Sequence, residues 1–341
     1  MVGARLLYKV CTLFLVLLLC ACSDTDHPTK EYLNRLNRVL DVEVGASPIS
    51  YPTFPSPSQL ILEPPKYAIS IREFLGLRQC TVHTAIAQRN SLIGKVALSS
   101  QKLLNDLTII ELLPECIEKD IDAKLKDKLK QYLTVKKDFL PHQLWHAVLA
   151  EKEYRSFWAA QLTTKKEIAV PQELTQAMDY LEVNTRHLLK SAKELNRKEF
   201  ENALKAFKFG TGGQLLSELQ IQLAYLSAAN KAIELRLSNK LCRSGQVTEK
   251  AHYFQNVVNK FFIKTVQARS VLLAQQYNTL MPTIIELENR LMPYALEPFK
   301  DWQKQRQRLF DHSLKITKQH ALLIQQLYQQ CGLVVGNKQT S

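Results

Sequence analysis

The chain has 341 residues, 46% of them hydrophobic, and a formal net charge of +13. That length can bury a large core, as one elongated helical domain or as two closely packed parts. The basic balance permits attraction to anionic lipid head groups, glycans or nucleic acid, and the export signal that opens the chain excludes nucleic acid from that set.

Arg5 and Lys9 precede an almost unbroken apolar run, Val10 to Leu19, which ends in Leu19-Cys20-Ala21-Cys22. A membrane span needs about 20 apolar residues, whereas a signal-peptide core needs about 7 to 15. Ala21 before Cys22, Leu19 three positions before it and the polar tether 22–29 read as a bacterial lipobox with Cys22 lipidated. An ordinary signal cleaved after Ala21, or an uncleaved short anchor, is the alternative. Two or more acyl chains anchor stably where one binds reversibly. Ser23, not Asp, follows Cys22, which favours the outer over the inner membrane, with the body facing the periplasm. Removing residues 1–21 takes away Arg5 and Lys9 and lowers the balance from +13 to +11.

Lys30 to Leu40 is the first helix, with Leu33, Leu36 and Leu40 at helical spacing. Ser47 to Pro65 carries six prolines interleaved with Tyr51, Phe54, Leu60 and Ile61. Prolines lack a backbone donor and bias the preceding residue away from helix, which predicts an extended arm over 47–65. Ser70-Ile71-Arg72-Glu73 is a capping-box pattern, opening a helix that turns Phe74 and Leu77 inward. A short helix follows over Thr81 to Asn90. Leu98 to Leu113 is predicted to end at Pro114. Cys116 to Leu133 then shows a narrow apolar edge on a charged helix.

The bulky segment Phe139 to Trp158 reads as core between helices, with an aromatic-lined groove as the alternative. Pro171 to Leu195 is a further helix. Phe209-Gly210-Thr211-Gly212-Gly213 lacks the residues of a nucleotide loop and reads as a flexible turn near a boundary at 210. Gln214 to Leu241, Lys250 to Thr279 and Lys300 to Cys331 are long amphipathic helices, with Pro282 and Pro293 expected to break the stretch between the last two. The predicted fold is all-α: an elongated antiparallel multi-helix bundle with an N-terminal Pro-rich extended arm. Its parts are a helical part 30–209, a C-terminal bundle 210–331 packed with it, and a flexible tail 332–341.

Cys11 and Cys20 leave with the signal, so Cys80, Cys116, Cys242 and Cys331 remain beside the lipidated Cys22. In an oxidising periplasm four cysteines suggest two disulfides. Of the three connectivities, Cys80–Cys116 with Cys242–Cys331 is preferred, because each bond then staples neighbouring helices within one half. Loop closure of those lengths is worth about 4 and about 4.5 kcal/mol before strain. Four buried free thiols are the alternative.

No catalytic spacing emerges: there is no Gly-x-Ser-x-Gly elbow, zinc helix or dinucleotide glycine pattern. His142 and His146 share a helical face, but two ligands do not define a metal site, and no metal or cofactor is expected. His83 near Arg89 and Asn90 allows a polar pocket beside Cys80, or simply a satisfied helix-end network. Lys304, Arg308, Lys315 and Lys318 fall on one broad face of the last helix, interrupted by Asp311. Such a face can meet an anionic glycan or membrane surface, and equally can be only solvated.

Several segments together resemble a family of Gram-negative envelope lipoproteins catalogued as a domain of unknown function. They are the lipobox, Tyr32-Leu33-x-Arg35-Leu36-x-Arg38-Val39-Leu40, Phe74-Leu75-x-Leu77-Arg78-x-Cys80 and the closing Cys331-Gly332. Gln88-Arg89-Asn90-Ser91-Leu92-Ile93-Gly94-Lys95-Val96 is similar to the family's Glu-Arg-Asn-Ser-x-Leu-Gly-Arg-Val, with Gln88 in place of Glu and Ile93 in place of Leu. The resemblance implies no reaction, and marks Arg89, Asn90 and Gly94 as candidates for a shared structural or binding feature. The expected function is a non-enzymatic scaffold or interaction lipoprotein of the envelope. The alternatives are a binding module for peptidoglycan, lipopolysaccharide or another anionic ligand, and an enzyme whose site assembles from distant residues.

Overall fold

The computed structural model describes residues 27–333, apart from 68, 160–169, 193–194, 240 and 243–245. The lipobox with Cys22, and most of the tail 332–341, lie outside the described residues. Among those described, all regular structure is helical and packs as a helical bundle. None of the described helices is long and apolar enough to cross a membrane.

The helices are α1 (Pro28–Leu40), α2 (Ile71–Gly76), α3 (Val82–Asn90), α4 (Leu92–Val96), α5 (Ser99–Glu118) and α6 (Ala123–Trp145). They continue as α7 (Lys152–Trp158), α8 (Gln172–Lys190), α9 (Arg197–Lys205), α10 (Thr211–Ser238), α11 (Glu249–Val257), α12 (Ala268–Leu291) and α13 (Glu297–Gln330). Wider π-type segments, His146–Ala150 and Val258–Gln267, follow α6 and α11.

The chain divides into two compact units that interleave along the sequence. Among the described residues one takes 27–47, 224–269 and 316–333; the other takes 48–223 and 270–315. The boundary expected near 210 falls inside the second unit.

In the first unit α1 opens with Pro28 at its first turn, where a missing N–H costs nothing. It buries Tyr32, Leu33, Leu36 and Leu40. Asp41 ends it in the left-handed region, φ 49°, and Arg236 donates to the Leu40 and Asp41 carbonyls there. Phe254, Val258, Phe262, Ile316, Ile324 and Leu327 complete the apolar packing. Cys242 is bonded to Cys331 with Cα atoms 5.0 Å apart.

In the second unit Ser70 caps α2 as the sequence indicates, its hydroxyl accepting from the Glu73 N–H while Glu73 accepts from the Ser70 N–H at 2.8 Å. Lys128 reaches the same carboxylate at 2.6 Å, and with the Ser70 bonds it draws the Glu73 carboxyl down to about 2. Cys80, just before α3, is bonded to Cys116 on α5 with Cα atoms 5.3 Å apart. Around that bond Leu77, Val82, Ile86, Ile109, Leu113 and Leu129 form one apolar cluster. The larger core has an aromatic centre: Trp145, Tyr154, Phe157, Trp158, Phe207 and Phe299 are all buried, so those rings that come from the 139–158 segment are packing, while its partly exposed residues Phe139, His146 and Arg155 line a cleft. Within the Pro-rich stretch, Phe54 lies 4.6 Å from the Trp302 ring, and the Trp302 indole donates to the Pro52 carbonyl at 3.2 Å.

Three helix ends differ from the sequence expectation. Pro114 lies inside α5 and Pro282 inside α12. A proline inside a helix costs about 3 kcal/mol, but Leu113, Cys116 and Ile117 around the first, and Met281, Ile284 and Leu287 around the second, are buried, and their burial outweighs it. The helix expected over 116–133 is divided at 119–122, because the Asp122 carboxylate accepts from the Leu125 N–H at 3.1 Å and starts α6 afresh. The glycine patch is also tighter than a flexible turn. Gly210 alone takes the left-handed conformation, φ 66°, while Gly212 and Gly213 begin α10, where a Cβ would strike the Phe157 ring and the Ala159 carbonyl.

Candidate functional site

The segment from Gln88 to Val96 builds an unusual surface in the second unit. Ser91 ends α3 and begins α4. Its hydroxyl donates to the Gln88 carbonyl at 2.8 Å and accepts from the Gly94 N–H at 3.0 Å. A Cβ on Gly94 would overlap the Gln88 carbonyl oxygen and stand 2.8 Å from that of Arg89. Only glycine lets α4 fold against the end of α3. With that side of α4 turned inward, Leu92, Ile93 and Val96 face out, 84%, 81% and 83% exposed.

Arg89 anchors the base of this feature. Its Nε lies 3.3 Å from Asp106 Oδ1, a buried carboxylate that also accepts from Lys136 at 2.7 Å and from Gln143 at 2.9 Å. Burial draws the Lys136 ammonium below its ordinary range, against the pull of Asp106. Arg89 and Gly94 thus have defined roles, whereas Asn90 is exposed with no side-chain partner among the described residues.

A cleft flanks α4 on either side, each enclosing about 510 Å³. Arg89, Ala97 and Lys102 line both. Lys102 is half-buried, and its pKa falls below the usual lysine value, first through burial and then through the nearby Arg89 guanidinium.

The other sequence candidates do not converge. Lys304, Arg308 and Lys315 in the second unit and Lys318 in the first are all exposed on α13, and the Asp311 between them accepts from Gln307 at 3.1 Å. His142 stacks on Phe139 with ring centroids 5.9 Å apart, while His146 points to Glu151 at 3.8 Å. His83 stacks on Phe74 at 4.2 Å. Among the described residues no group of three or more His, Cys, Asp or Glu could hold a metal ion.

Two buried polar sets escaped the sequence reading. In the second unit Arg306 and Glu288 pair through two hydrogen bonds of 2.6 Å, with Tyr154 donating to the same carboxylate. In the first unit His320 Nδ1 is 2.6 Å from Asn230 Oδ1, and Nε2 is 2.7 Å from the Tyr32 hydroxyl. The Asn230 oxygen can only accept, so Nδ1 carries the proton and Nε2 accepts from Tyr32. Burial draws the imidazole pKa down to about 3. The signal in both cases was position: Arg306, Ser313 and His320 follow Trp302 along the buried stripe of α13.

A family model described as a protein of unknown function (DUF3080) matches residues 29–335. No curated protein and no solved structure matches the chain.

Proposed function

We propose a role from one premise, that the chain belongs to the DUF3080 family: it is a lipid-anchored, periplasm-facing envelope protein that holds a partner and does not catalyse a reaction. The observation that supports this most directly is the α4 ledge. Three large apolar side chains stand more than four-fifths exposed on one short helix, and a glycine locks that helix in place. Clustered exposed apolar surface marks interaction sites, whereas single exposed apolar residues are ordinary. The Leu19-Cys20-Ala21-Cys22 sequence supports the anchor and the envelope location.

The test is proximity crosslinking in intact cells, with a photoreactive residue in place of Leu92. Reproducible capture of one envelope partner, lost in a Gly94→Ala background that displaces the ledge, supports the reading. Equal labelling of bulk protein in both backgrounds refutes it.

A further inference from the structure

The cleft between the 3-10 turn Pro57–Leu60, the start of α5 and the segment His146–Ala150 has two walls of different chemistry. One is apolar. Ile61, Val96 and Leu98 present exposed side chains to it, beside Leu60 and Phe139. The other is cationic: Arg89, Lys102, Lys152 and Arg155 line it, against a single carboxylate, Glu151. That carboxylate is already engaged, accepting from the Ser99 N–H at 3.3 Å and from the Ser99 hydroxyl. Arg89 is held by Asp106.

Lys102 and Arg155 are left. Both are half-buried, and among the described residues neither has a carboxylate within ion-pair distance. Among the described residues the Arg155 Nε is buried without a hydrogen-bond partner, and its guanidinium sits 5.8 Å above the Phe54 ring. Glu151 and Asp106 act on Lys102 only from beyond ion-pair distance. Partly desolvating a cation without a bonded counter-charge is unfavourable, and two such cations beside one apolar wall point to an anion with an apolar continuation. About 510 Å³ lies within the range of small-ligand sites, about 300 to 1,000 Å³.

We infer that this cleft binds a free anionic amphiphile, with a carboxylate or phosphate head at Lys102 and Arg155 and one alkyl chain along Ile61, Val96 and Leu98. The inference goes beyond the docking role of α4: the two surfaces share Val96, but Leu92 and Ile93 of the ledge do not line the cleft.

Isothermal titration of the whole mature protein tests it, with dodecyl phosphate and dodecanoate kept below their micelle concentrations. Inorganic phosphate and dodecanol are the head-only and tail-only probes, and phosphatidylglycerol vesicles the bilayer probe. The expected result is saturable one-to-one binding of at least one anionic amphiphile, at least tenfold tighter than either partial probe. Lys102→Gln and Arg155→Gln should each weaken it about tenfold, with unchanged circular dichroism, and Ile61→Asp should weaken it as well. Dodecanol binding as tightly as the anions overturns the inference. So does binding that survives both cation substitutions, binding to vesicles alone, or no binding at all. A Leu92→Asp variant should keep amphiphile binding even where it loses a crosslinked partner, which separates this site from the ledge.

Discussion

Arg306 and Glu288 meet through two parallel hydrogen bonds with neither side chain exposed to solvent. The guanidinium is also stacked, its central carbon 4.2 Å from the Trp158 ring and 4.8 Å from the Trp302 ring. Removing one member of such a pair strands a buried charge, at a cost of about 3–5 kcal/mol. Glu288→Gln should therefore lower unfolding free energy by about that amount in urea titration. The double variant Glu288→Leu with Arg306→Met should recover most of the loss, since well-packed apolar replacements of a buried pair are often neutral. A double variant as unstable as the single one would show that the pair does more than satisfy itself.

His320 should make the first unit acid-sensitive. It is neutral in the fold, with its pKa drawn down to about 3 by burial, while an unfolded histidine titrates near about 6.5. The unfolded chain thus binds a proton that the fold refuses. The stability contribution is complete above about pH 6.5 and falls as pH drops toward 3, by at most about 1.4 kcal/mol per unit. Comparing urea midpoints at pH 7.5 and pH 5 should show a steeper acid loss in the parent than in His320→Gln. Parallel pH profiles would remove His320 as the cause.

The two disulfides close loops of different length, with sequence separations of 36 and 89 residues. Non-reducing peptide mapping should join Cys80 to Cys116 and Cys242 to Cys331. Replacing either pair with serine should cost about 2–5 kcal/mol. Alkylation of all four thiols in freshly isolated protein would contradict the pairing.

Gly94→Ala should destabilise locally. The added methyl meets backbone carbonyls of Gln88 and Arg89, which cannot swing aside as a side chain would. The expected loss is about 1–3 kcal/mol, with faster hydrogen exchange confined to the junction of α3 and α4. Unchanged exchange there would mean the helices can separate freely.

If Leu19-Cys20-Ala21-Cys22 acts as a lipobox, the mature N-terminus is acylated. Mass spectrometry should find lipid on Cys22 and no trace of residues 1–21, and Cys22→Ser should free the protein from the membrane fraction. An unmodified N-terminus at Ser23 would refute the anchor.

The helices were legible because their apolar residues recur at helical spacing. Leu33, Leu36 and Leu40 define α1, and Leu103, Leu107 and Ile110 define α5, where all six are buried. Pro293 does separate two helices, as its missing N–H implies, but Pro114 and Pro282 are carried through by burial on either side, which no local rule registers. Arg306 and His320 were illegible for a different reason. A polar residue on an apolar stripe looks like the edge of that stripe until its partners are known, and those partners, Glu288 and Tyr32, lie 18 and 288 residues away. Arg89 and Gly94 stood out through the resemblance, but Lys102 and Arg155 did not. What sets those two apart is a missing neighbour, and sequence spacing cannot reveal that.

The interleaving of the two units bears on how the chain can fold as it is synthesised. The first unit needs Tyr32 from its start, Asn230 from its middle and His320 from near its end. Closing a contact across 288 residues is slow, because the intervening loop must be ordered before the contact rewards it. No nascent chain that stops short of residue 316 can complete this unit. Its apolar α1 face therefore stays without its full packing until the last helix has been synthesised. Cutting the chain at residue 210, however natural that glycine patch looks as a border, would leave both halves without a finished core.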